Sequence, residues 1–234
     1  MKSGAAYIFV IPAFAGFALL LAHLFYYRGL RKGALLLAMV AVVGFLKEHS
    51  VAVQPGMAEY HFNAIGPSLF HVPVVVVVGW FYATYIGWCF AEGILSYSDR
   101  WRGRMFATLS LALIATLALS FCVETTGTNM GWWTWHRQNI EAREFWFFNA
   151  PKFVLIGWAG FTLKVLLPYF IFILPRISWK KKLRWIIGFF VLIGLFQFIF
   201  HGIVFNAFVL AIMFTILFIL PFKNTWKLDA PPLE

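Results

Sequence analysis

Two glutamates, Glu48 and Glu124, each stand at the end of an apolar run, and each leads into a polar, aromatic-rich segment that contains a histidine. From Glu48 the chain reads EHSVAVQPGMAEYHFNAIGPSLFHVPVVVVVGW, and from Glu124 it reads ETTGTNMGWWTWHRQNIEAREFWFFNAPKFVLIGW. Ionising a carboxylate at the edge of a hydrocarbon layer is costly, which favours the neutral acid that proton donation requires. Aromatic faces beside such an acid stabilise a developing cation. The combination suits protonation of an alkene, with the resulting carbocation captured by water or by an internal double bond.

The two segments follow one order. Each has its Glu (48, 124), then a Gly seven or eight residues on (56, 131), then an aromatic-His pair four and five positions further (Tyr60-His61, Trp135-His136). Each continues to a Pro (73, 151), followed six residues later by Gly-Trp (79-80, 157-158), and the offset between copies stays between 75 and 78 residues. Each copy leaves through one helix and returns through the next, so the repeat is parallel, with copies at about 34–95 and 105–174. It sets two half-sites at one membrane surface, and repeat interfaces are where such proteins often hold ligands.

The elements that must position these residues are membrane helices. With 62% hydrophobic, 20% aromatic and 12% charged residues and a mean hydropathy of +0.81, the composition excludes an ordinary soluble domain. A span needs roughly 20 apolar residues. Seven are expected, at about Ala5–Tyr27, Ala34–Val53, Leu69–Leu95, Met105–Val123, Pro151–Leu174, Trp185–His201 and Phe205–Phe222, forming one transmembrane domain over residues 1–234. The last two are short and close together, and one long bent helix is the alternative. The first run is too long for a signal peptide and has no small-residue cleavage site, so it reads as a span. The fold class is all-α and polytopic.

Thirteen of the nineteen Lys and Arg residues fall between spans one and two, three and four, five and six, or after span seven. The positive-inside rule makes that side cytoplasmic, with the amino terminus outside and the carboxyl terminus inside a cytoplasmic membrane. The net charge of +10 is dispersed in short loops facing anionic lipid, so it points to no nucleic-acid partner. Cys89 and Cys122 sit in or at the end of spans and read as packed thiols rather than a disulfide framework.

Other roles compete for the same residues. Trp and Tyr at a membrane interface commonly form an anchoring belt, and Glu48 has Lys47 and His49 beside it as ion-pair partners. Lys164, in the middle of span five, is expected to meet a carboxylate such as Glu92. Glu48, His49, His61, Glu124 and His136 carry metal-binding atoms, but their spacing matches no histidine box, and no metal is assigned.

The paired segments resemble the carotenoid biosynthesis membrane proteins, a family that includes carotenoid 1,2-hydratases and bisanhydrobacterioruberin hydratases. The resemblance rests on Glu48, Gly56, Tyr60 with Phe62, Val72-Pro73 and Trp80, and on Glu124, Gly131, Trp133, Trp135, Pro151 and Gly157-Trp158, covering roughly residues 44 to 162. Three features depart from the family pattern: Glu124 stands where an Asp is usual, QPGMAE replaces a Phe- and Gly-rich stretch, and Asn149 precedes Pro151 instead of following it. The resemblance implies addition of water across the terminal double bond of an acyclic carotenoid, without a cofactor. Glu48 and Glu124 would then serve as proton donor and water-positioning group, in either order, and His61 and His136 as proton relays. Tyr60, Trp80, Trp133, Trp135 and Trp158 would line the polyene. The implied partners are a carotenoid or other polyisoprenoid and membrane lipid. Two rival readings remain: a cyclase or isomerase that starts with the same protonation, and a non-catalytic pigment- or lipid-binding subunit with partners in a membrane complex.

Overall fold

The computed structural model describes residues 4–53, 60–62, 66–70, 72–97, 104–135, 146–147, 150–174 and 177–200. Among them are five helices: α1 (Gly4–Val53), α2 (Val74–Ser96), α3 (Met105–Asn129), α4 (Lys152–Ile173) and α5 (Trp179–Phe200). Six short strands sit in the connections: β1 (Tyr60–Phe62), β2 (Ser68–Leu69), β3 (Val72–Pro73), β4 (Trp133–Trp135), β5 (Trp146–Phe147) and β6 (Ala150–Pro151). Four helical stretches are long and apolar enough to cross a membrane, namely Val10–His49, Val74–Ser96, Met105–Asn129 and Val154–Ile173. The chain is an integral membrane protein. α5 overlaps the expected sixth span, while Phe205–Phe222 and His201 lie outside the described residues.

Expected spans one and two are two helical segments of α1 that meet at a kink at Gly29, and the Arg, Leu, Lys and Ala residues around that glycine, being good helix formers, carry helix up to it on both sides. Only Gly29 leaves helical geometry, at φ 73° and ψ 159°, a conformation that glycine adopts without steric penalty. The direction of the chain changes there. Side-chain atoms of Phe25 and Leu24 lie 2.8 and 3.1 Å from where a Cβ on Gly33 would be. In a continuous helix, residues eight apart are separated by ~12 Å of rise. The 40 residues from Val10 to His49 would extend ~60 Å as one rod, about twice the hydrocarbon thickness.

The chain divides into two compact units, Met1–Ala83 with Ala118–Leu155, and Thr84–Leu117 with Ile156–Glu234. In the first, Phe17 meets Phe81 edge-on at 5.3 Å, and the Tyr82 hydroxyl donates to the Ala13 carbonyl at 2.6 Å. In the second, Trp88 packs against Tyr85, Tyr169 and Phe170 with ring centroids 5.3–6.0 Å apart. Its indole N–H donates to Glu92 at 2.8 Å. Gly87 lets α2 approach α3 closely, for a Cβ there would stand 2.8 Å from Thr116 Oγ1 and 2.9 Å from the Ala112 carbonyl. Thr116 in turn accepts from the Thr162 hydroxyl at 3.2 Å.

Both cysteines are free thiols, but Cys122 is exposed rather than packed. Ser120 and Glu124 occupy the buried face of α3, and the helical twist turns the residue between them outward.

Candidate functional site

Both glutamates belong to the first unit, and both are buried: Glu48 is 1% exposed and Glu124 is 5% exposed. A buried carboxylate needs donors, and each finds an indole. Trp80 Nε1 donates to Glu48 Oε1 at 2.7 Å, and Trp133 Nε1 donates to Glu124 Oε2 at 3.1 Å.

Local structure brings each indole into place. Before α2, β2 and β3 form a tight antiparallel hairpin pairing Ser68 with Pro73 and Leu69 with Val72. Pro73, which has no N–H to satisfy, immediately precedes the helix, and Trp80 sits about two turns in. The hairpin turn contains Phe70 at φ 44°, a left-handed conformation uncommon for a non-glycine residue. His49 Nδ1–H donates to the Phe70 carbonyl at 3.3 Å while Phe45 touches both rings, so the end of α1 grips the turn that starts α2.

Trp133 reaches Glu124 by a different route. α3 ends in a Schellman motif: Gly131 is left-handed at φ 69°, Trp132 N–H bonds the Gly127 carbonyl at 2.8 Å, and Gly131 N–H bonds that of Thr128 at 3.2 Å. The chain reverses, and the Trp133 ring lies against Gly127 where a Cβ would otherwise be. Gly131, singled out in the sequence as a repeat marker, is thus the residue that turns the chain back toward the carboxylate.

The segments after the two glutamates are joined by backbone pairing. β1 and β4 run antiparallel, with Tyr60 opposite Trp135, His61 opposite Thr134 and Phe62 opposite Trp133. Tyr60, His61, Trp133 and Trp135 therefore share one two-stranded sheet. Ahead of α4, β5 and β6 pair Trp146 with Pro151 and Phe147 with Ala150, the same register as the hairpin before α2 and 78 positions later. Trp158 is buried in α4 and belongs to the second unit. His136 lies outside the described residues.

The ion pair anticipated from the sequence is formed, and it does more than neutralise charge. Lys47 Nζ donates to Glu48 Oε1 at 2.7 Å and also stands 4.3 Å from the centroid of the Trp80 ring. One ammonium therefore touches both the carboxylate and the indole that binds it. Glu48 Oε2 is buried and has no hydrogen-bond partner among the described residues. That contact with Trp80 was not legible in advance, although Lys47 was visible as a neighbour. Among the described residues, no three His, Cys, Asp or Glu side chains gather as a metal site would require.

Chemically, the arrangement offers two carboxyl groups shielded from bulk water beside indole rings. Carboxyl groups are chemically able to give and take protons. A family described as carotenoid biosynthesis protein matches residues 7–221. No curated protein and no solved structure matches the chain.

Proposed function

The chain belongs to the carotenoid biosynthesis protein family, and from that premise we propose that it is a hydratase acting on the terminal C=C of an acyclic carotenoid. The observation that supports this reading is the pair of buried carboxyl groups, Glu48 and Glu124, each bonded to an indole N–H. Binding a polyene requires no carboxylate, whereas protonating one requires an acid. Hydration leaves the oxidation level unchanged, so the reaction has no need of a redox cofactor.

One glutamate gives its proton to the alkene, and the tertiary cation is captured by a water held at the other. Tyr60, Trp80, Trp133 and Trp135 line the polyene end, and His61 and His136 relay protons. The equivalent hairpins before α2 and α4 support a parallel two-helix repeat within a seven-span protein. The basic segments are assigned to the cytoplasmic side, with the amino terminus outside the cytoplasmic membrane.

Expression in a lycopene-producing bacterium tests the function. The expected pigment is heavier by one water, and Glu124→Gln lowers its yield roughly 10²–10⁴-fold, the usual contribution of general acid catalysis. An isomer of unchanged mass with shifted retention would replace hydration by cyclisation or isomerisation. Unaltered lycopene alongside abundant membrane-inserted protein would overturn the hydratase reading.

A further inference from the structure

α5 opens with Lys180, Lys181, Lys182 and Arg184, and these cations are not used alike. Lys182 Nζ donates to the Phe172 carbonyl at 2.7 Å, which ties the start of α5 to the end of α4. Lys181 Nζ stands 5.1 Å from the centroid of the Trp185 ring. Lys180 and Arg184 are exposed and meet no carboxylate among the described residues. They lie one turn apart, a spacing at which like charges repel. Cations at the start of a helix also face the positive end of its dipole, and no acid in the first turn offsets them. Helix stability therefore does not account for their placement.

The rest of α5 shows what lies beneath these two charges. Ile193 is buried and Lys182, Ile186 and Phe189 are partly buried, which defines the packed side of the helix. At 3.6 residues per turn, Lys180, Arg184, Ile187, Gly188, Val191 and Leu195 fall on the opposite side within a stripe ~100° wide. All six are exposed. A Cβ on Gly188 would meet nothing within 4 Å, so the stripe has an open notch in its middle. From Arg184 to Leu195 it runs ~16 Å, about half the thickness of the hydrocarbon layer. At the cationic end Trp179 is exposed and meets Phe172 edge-on at 5.1 Å, the kind of aromatic that sits at head-group depth.

We propose that this face of α5 binds one anionic phospholipid, its phosphate held between Lys180 and Arg184 and an acyl chain lying over Gly188 beside Ile187, Val191 and Leu195. Two unpaired cations select a head group of net negative charge over a zwitterionic one, whose own ammonium would oppose them. The apolar stretch, one leaflet long, selects a lipid over a free anion. The site stands independently of the hydratase reading.

Native mass spectrometry of the full chain in detergent tests this, with dioleoyl phosphatidylglycerol and dioleoyl phosphatidylcholine as probes. Wild type is expected to retain one phosphatidylglycerol in preference to phosphatidylcholine, and inorganic phosphate is expected not to displace it. Lys180→Gln with Arg184→Gln should weaken that first lipid roughly 10–30-fold, the effect of losing two cations near an anionic head group. Arg31→Gln with Lys32→Gln removes the same charge elsewhere and should keep the preference. Gly188→Leu fills the notch without touching a cation and should also weaken retention, with helix content by circular dichroism unchanged. Equal retention of the two lipids, an equal loss in both charge variants, or displacement by phosphate overturns the site. A dimer carrying no lipid would give this face to a second copy of the chain and overturn it as well.

Discussion

Replacing a glycine inside a helix by alanine ordinarily stabilises it, and Gly127→Ala is expected to do the reverse. The gain in helix propensity is at most about 1 kcal/mol. Against it stands the Trp133 ring, whose six-membered portion occupies the space of the new methyl group. The ring is buried and held by its N–H on Glu124, so it has little freedom to retreat. Overpacking of this kind costs about 1–3 kcal/mol, and weakening the indole bond adds about 1 kcal/mol. The opposing terms leave Gly127→Ala less stable by roughly 1–3 kcal/mol. Denaturant titration of the purified protein in detergent, followed by circular dichroism, measures this. In a Trp133→Ala background the obstruction is gone, and the same change should be neutral or stabilising. A destabilisation of equal size in both backgrounds, or a stabilised Gly127→Ala single variant, would refute the account of how Trp133 reaches Glu124.

Trp80→Phe keeps an aromatic ring under Lys47 but removes the donor 2.7 Å from Glu48, and is expected to destabilise by about 1–3 kcal/mol in the same titration. Gly29→Ala meets no atom within 4 Å but must adopt a φ of +73° with ψ 159°, a region essentially confined to glycine, so a loss of about 1–3 kcal/mol from backbone conformation alone is expected. Equal stability there would mean that the break in α1 lies elsewhere. Gly87→Ala sets a methyl group against the Ala112 carbonyl and the Thr116 hydroxyl, and since backbone yields less readily than a side-chain tip, about 1–3 kcal/mol should be lost. Retention of wild-type stability would show that α2 and α3 separate easily.

Apolar length made the long helices from α1 to α4 legible, since a run of twenty such residues has few other uses. The charged Arg28, Arg31 and Lys32 marked the connection between the first two expected spans, and the helix breaks there at Gly29, although the charged residues around it keep helical geometry. Glu48 and Glu124 stood out because a carboxylate is rare against an apolar run, and both are buried. Their donors were less accessible. Trp80 was marked by its spacing from Pro73, yet nothing local announces that it reaches back 32 positions to Glu48. Trp133 was one of several nearby tryptophans, and its selection depends on the helix end at Gly131 together with the room at Gly127. The strands were unforeseen because two- and three-residue pairings leave no periodicity to detect.

The register between β1 and β4 has a bearing on how such a chain could arise. Under the repeat proposed above, Tyr60 and Trp135 are counterparts, and they stand opposite each other at one end of the antiparallel pair. A residue opposite its own counterpart marks the axis of an isologous contact, the kind two identical subunits make about a two-fold. Under that repeat, the pairing would take the form of a seam between two like halves of one polypeptide. Joined in one chain, two such halves would be free to diverge, and on that reading Lys47 against Val123 is one such divergence.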